Sequence, residues 1–102
     1  MLERFLVPEE DRVFVREELV RNATQTIFLE MGQSERDAEQ STDVLIESDL
    51  RGCESHGVSN MLRLYIDQYG RGELNPTPNV TTLRESAVSA TWNADQALGI
   101  QV

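Results

Sequence analysis

Lysine is absent: all nine cationic side chains are arginine. Histidine and cysteine occur once each, as His56 and Cys53. A lone cysteine excludes an intramolecular disulfide. One histidine and one cysteine fall short of a metal ligand set, so no metal site is expected. No run approaches the roughly 18 apolar residues of a membrane span, and residues 1–7 lack the apolar core of a signal peptide. The expectation is a soluble, cytoplasmic protein with no membrane partner. Positive charge is scarce as well. Nine cations face 18 acids, giving a net charge of −9 and a pI near 4.4. That field repels phosphate backbones, so nucleic acid is not an expected partner.

What is present fits one small globular domain or part of one: 102 residues, 39% hydrophobic and 26% charged. Val13-Phe14-Val15 is β-prone and predicts a short strand. Arg16 to Met31 has helical periodicity, with Leu19, Ala23, Ile27 and Met31 on one stripe that Val20 and Phe28 widen. Gly32 suits a left-handed cap. Ser34 predicts the N-cap of a second helix that runs to about Leu50, with Ala38, Thr42, Leu45, Ile46 and Leu50 facing inward. A third helix, capped by Ser55, is expected to run to about Tyr69. Its stripe is Val58, Met61, Leu62, Tyr65, Ile66 and Tyr69, a spacing that belongs to core more often than to a cofactor box. Residues 70–79 are rich in breakers and form a loop. Residues 80–85 and 87–93 predict two strands of a hairpin turning near Glu85-Ser86. Leu98 to Val102 opens a new pattern and breaks off.

The predicted fold class is α+β: three helices with a short strand, then a β-hairpin that would belong to a larger sheet. Residues 1–72 form the helical region. Residues 73–102 form a loop and the start of another domain.

His56 is the first candidate for acid–base chemistry, because imidazole titrates in the physiological range. The bland alternative is a helix-start residue whose ring caps or packs. The predicted third helix would put His56 in its first turn. Arg63 then lies seven residues on, on about the same face and roughly 10 Å away.

The string Asp49-x-Arg51-Gly52-x-x-Ser55-His56-Gly57-Val58 is followed by Tyr65 and by Gly72-x-x-Asn75-Pro76-x-Pro78. Trp92-Asn93-Ala94-Asp95-x-x-Leu98-Gly99 comes later. In this order the residues resemble the malate/L-lactate dehydrogenase family of the type unrelated to the Rossmann enzymes. That family also includes ureidoglycolate dehydrogenases and cyclic-imine reductases. The resemblance implies an oxidoreductase that moves a hydride between NAD or NADP and a 2-hydroxy/2-oxo acid. It implies that His56 is the catalytic acid–base group and that Ser55 sits with it beside the nicotinamide. It implies a homodimer, and a central cofactor-binding domain that begins near the end of this chain. Many members carry arginine four residues after the motif histidine, to hold a substrate carboxylate. Here that position is Asn60, so Arg63, Asn60 and Tyr65 are the substrate-contact candidates, with core packing the bland role for Tyr65. An ion pair between Asp49 and Arg51 would brace the turn. Family members are roughly three times as long, a two-domain length, so the 102 residues alone are expected to show little or no turnover. The competing reading is an acidic helical module that binds a partner through the Val58/Met61/Leu62/Tyr65/Ile66 stripe, or a truncated product without catalysis.

Overall fold

Three helices, a two-stranded ribbon and short 3-10 turns make up the computed structural model, which describes residues 3–102. Residues 12–16 are extended but pair with no strand among the described residues, so the predicted strand is absent. β-propensity reports fit to a pleated surface, and here no such surface is offered. Phe14 is left 94% exposed.

Helix α1 spans Glu17–Glu30 and starts at Arg16, which has no side-chain cap. Its buried residues are Thr24 and Phe28, with Val20, Ile27 and Met31 half-buried. Leu19 and Ala23 are exposed, which corrects the expected stripe by about one residue around the helix. Thr24 caused the shift: its methyl group packs inward one turn before Phe28, where polarity argued for the outside. Gly32 closes the turn after α1 at φ +105°, and Pro76 approaches so closely that a Cβ there would sit 3.1 Å from the ring. Both demands favour glycine.

Helix α2 spans Glu35–Leu50, and Ser34 Oγ accepts from the backbone N–H of Asp37, as expected of an N-cap. Ala38, Thr42, Leu45 and Ile46 are buried, but Leu50, expected on the same stripe, ends the helix and is exposed. Ser41 is buried too, and its hydroxyl donates to Gln33 Oε1, while Ser48 bonds back to the Val44 carbonyl. Helix α3 spans Val58–Gly70. Its Leu62 joins Phe28, Ala38, Leu45 and Leu98 in the core, and Val58, Met61, Tyr65 and Ile66 pack against that cluster. The α3 stripe is therefore occupied by the protein's own core, which removes the surface that a helical docking module would need.

Burial raises the Tyr65 hydroxyl above the ordinary phenol range. Burial raises Tyr69 as well, offset in part by the hydrogen bond that Gln33 Nε2 donates to its oxygen at 2.8 Å and reinforced by nearby Asp37. A raised folded-state value means that the folded chain holds the proton longer. Their contribution to stability is therefore whole below about pH 10 and is lost as pH rises through the raised values. In an alkaline absorbance titration both phenols should ionise later than those of the urea-unfolded chain. Coincident titration curves would show that these rings are not packed.

Strands β1 (Thr81–Glu85) and β2 (Ala90–Asn93) pair antiparallel, with Thr82 opposite Trp92 and Glu85 opposite Ala90. The register slips between Thr82 and Arg84, so Leu83 sits in a bulge. Residues 87–89 belong to the turn and not to the second strand. Ser86 N donates to the Ser89 carbonyl, and the two hydroxyls lie 2.9 Å apart. Every strand residue is exposed on both faces. After the ribbon the chain returns to the helices. Leu98 enters the core, Gln40 Nε2 donates to the carbonyls of Ile100 and Gln101, and Gln101 Nε2 donates to Asp37 and to the Pro76 carbonyl.

Candidate functional site

The motif sits where the end of α2 meets the start of α3. Gly52, at φ +79°, turns the chain, and the backbone N–H groups of Gly52 and Cys53 donate to the carbonyls of Asp49 and Ser48. A single 3-10 turn, Glu54–His56, follows. The third helix is capped by Gly57 and begins at Val58. Ser55 is thus not its cap, and His56 lies before the helix and not in its first turn. The carboxylate of Asp49 does the capping: its Oδ2 accepts from Val58 N at 2.9 Å. A carboxylate suits the partial positive charge at that helix end.

Asp49 therefore does not pair with Arg51, as the sequence suggested. Arg51 pairs instead with Glu47, four residues back on the same helix face. The hydrogen bond that Arg51 Nε donates to the Glu47 carboxylate raises the guanidinium above its ordinary value.

The His56 ring is exposed, and its Nδ1 lies 2.8 Å from Ser55 Oγ. Asn60 is half-buried, and its Nδ2 donates to the Glu54 carbonyl at 2.6 Å. One N–H of that amide is committed to the turn, which leaves the second N–H and the amide oxygen. Arg63 is exposed and forms no ion pair with any described residue. Tyr65 packs on the core. The structure thus joins Ser55, His56 and Asn60 in one turn and leaves Arg63 and Tyr65 outside that network.

Beside the turn lies an open groove of about 460 Å³, with Phe14, Val20, Leu50 and Val58 among its walls and Asp49, Glu54 and Glu17 on its polar side. Glu54 also accepts from Val7 N at 3.1 Å, which ties the N-terminal segment to the motif. Among the described residues no group of three or more His, Cys, Asp or Glu side chains is placed to hold a metal. No helix of the described residues is long and apolar enough to cross a membrane.

The description of the malate/L-lactate dehydrogenase family matches residues 15–102. The chain belongs to the malate/L-lactate dehydrogenase family. Among its relatives, malate dehydrogenase of Pyrococcus horikoshii is 37% identical over 73 residues, and L-sulfolactate dehydrogenase of Methanocaldococcus jannaschii is 33% identical over 73. Each alignment takes in 72% of this chain but only 20% and 21% of the relative. The chain spans about a fifth of the length of these curated relatives. The solved structure of the Pyrococcus horikoshii enzyme superposes with a TM-score of 0.84 at 32% identity, covering 90% of this chain and 26% of that one. The sulfolactate dehydrogenase structure gives 0.82 at 28% identity.

Two features of this family member escaped the sequence. One is the carboxylate of Asp49 on Val58. The other is the demand that this contact makes on Gly57. A Cβ on Gly57 would lie 1.8 Å from Asp49 Oδ1. The backbone of Gly57 is extended and open to any residue, so the constraint is the carboxylate alone. Gly57→Ala should force Asp49 off Val58 and cost about 1 kcal/mol, the worth of a helix cap. Asp49→Ala should cost a similar amount. In the Asp49→Ala/Gly57→Ala double variant the second change should add almost nothing, because the clash has gone. Urea denaturation of the three variants measures this. Additive losses would contradict it.

Proposed function

We propose that the chain is the N-terminal part of an NAD(P)-dependent oxidoreductase that transfers a hydride between nicotinamide and a 2-hydroxy/2-oxo acid of the malate/lactate type. The observation that carries the reading is the exposed His56 ring held through Nδ1 by Ser55, in a member of this family. The names of the relatives, a malate, an L-sulfolactate and a hydroxycarboxylate dehydrogenase, support the substrate class.

The dinucleotide, when bound, supplies or receives the hydride. His56 handles the proton. In the imidazolium, Nδ1–H donates to Ser55 Oγ and Nε2–H is the proton to be given. As negative charge develops on the substrate oxygen, Nε2 delivers that proton, and the neutral ring keeps its Nδ1–H on Ser55. In the oxidative direction Nε2 accepts the hydroxyl proton. Ser55 also has a lone pair left for the nicotinamide or the substrate. Arg63, exposed and in no ion pair with any described residue, is the candidate for the substrate carboxylate, with Tyr65 as a lesser contact, while the Asn60 amide is engaged by the Glu54 carbonyl.

The fit to a dinucleotide is confined to its reacting end. The groove beside His56 carries acids on its polar side, and acids repel a pyrophosphate. The family resemblance assigns the phosphate-binding groups to the central domain, so the 102 residues alone are expected to show little or no turnover. The assembled enzyme is a homodimer, a reading that rests on the family resemblance. An absorbance assay of nicotinamide reduction tests the proposal, using the enzyme that carries this chain with malate, lactate and sulfolactate in turn. Turnover with one or more of them is expected. No turnover with any 2-hydroxy acid and either cofactor would overturn it.

A further inference from the structure

The only histidine stands in a turn three residues long, Glu54–His56, and a turn that short does not hold its own geometry. It is gripped from both sides by side chains of neighbouring helices. On the near side, the Glu54 carbonyl accepts from Gly57 N at 3.3 Å and from Asn60 Nδ2 at 2.6 Å. Its two lone pairs are thereby filled. On the far side, Val58 N is held by Asp49 Oδ2. Asp49 reaches it only because Gly57 has no side chain. The His56 backbone N–H is tied to the Cys53 carbonyl, and Cys53 N to Ser48 at the end of α2. Among the described residues the ring itself has one partner, Ser55, its chain neighbour, which moves with the turn. The direction of the imidazole is therefore set through the backbone.

The geometry points to Asp49 and Asn60 as a pair of positioning residues that clamp the His56 turn and aim its ring. Neither need touch substrate or cofactor. This rests on the reading of His56 as the acid–base group. An aimed proton donor matters because an error of about 1 Å can cost on the order of a hundredfold in rate.

The experiment has two arms, and both use Asp49→Ala, Asn60→Ala, and the near-isosteric Asp49→Asn and Asn60→Asp. Asp49→Asn keeps an acceptor for Val58 N. Asn60→Asp loses the donor at constant volume, so a cavity cannot explain its effect. The first arm reads the ring signals of the single histidine by NMR in the 102-residue chain, with circular dichroism to check the helices. In Asp49→Ala, Asn60→Ala and Asn60→Asp the signals should broaden or move toward those of a free imidazole, while Asp49→Asn stays near the parent. The second arm reads kinetics in the enzyme that carries the chain. The same three variants should lose between about tenfold and a hundredfold in kcat, with KM within about threefold and Asp49→Asn recovering most of the loss. Unchanged ring signals and kcat in the alanine variants would overturn the clamp and leave the acid–base reading intact. If His56→Ala itself keeps full turnover, the acid–base reading falls, and the ring signals alone decide whether the clamp exists.

Discussion

Replacing His56 with alanine in the enzyme that carries this chain is expected to lower kcat by about 10²- to 10⁴-fold, the usual worth of a general acid–base. The fold should not change. The ring is exposed, bonds among the described residues only to the neighbouring serine and takes no part in the core. Surface changes of that kind usually stay within about 0.5 kcal/mol. The pairing of those two results is what makes the test sharp. A variant that loses activity and stability together would speak for a structural histidine. A variant that keeps turnover would remove the proton-transfer role. Ser55→Ala should fall between the parent and His56→Ala, because Nδ1 would lose its fixed partner while Nε2 stays available.

The largest loss of stability is expected at Phe28. It is 0% exposed and belongs to the same cluster as Leu45, Leu62 and Leu98. Phe28→Ala should cost about 3–5 kcal/mol, the transfer free energy plus the cavity left behind. Domains of this size have about 5–15 kcal/mol in all, so the variant would lose much of its margin. Phe14 is the matched control, 94% exposed in the unpaired segment before α1. Phe14→Ala should move stability by less than about 0.5 kcal/mol. Urea curves followed by circular dichroism measure both. Equal losses at the two positions would mean that the hydrophobic core is not where the burial puts it.

The helices were legible because their signals are local. Ser34 and Gly32 bracket the α1–α2 connection with cap chemistry, and the α2 and α3 stripes repeat at helical spacing. The inward face of α1 was misjudged because Thr24 packs inside despite its hydroxyl. The strand expected at Val13–Val15 was misread because a strand exists only against a partner. The ribbon was legible, but its turn is longer than expected and runs from Ser86 to Ser89. The Ser86–Ser89 bonds that set it carry no glycine or asparagine signal. At the site, His56 and Ser55 stood out by composition and by motif. The bonds of Asp49 and Asn60 did not, because each depends on how closely the end of α2 meets the start of α3. Sequence spacing does not encode that approach.

The ribbon has an optical consequence. Trp92 is the chain's single tryptophan, and it stands on β2, 57% exposed and away from the buried cluster. Indole emission is therefore a local gauge of the ribbon and is nearly blind to melting of the helices. Whatever comes to lie over the strands will shift that emission to the blue, and it will do so whether or not the His56 imidazole is doing chemistry.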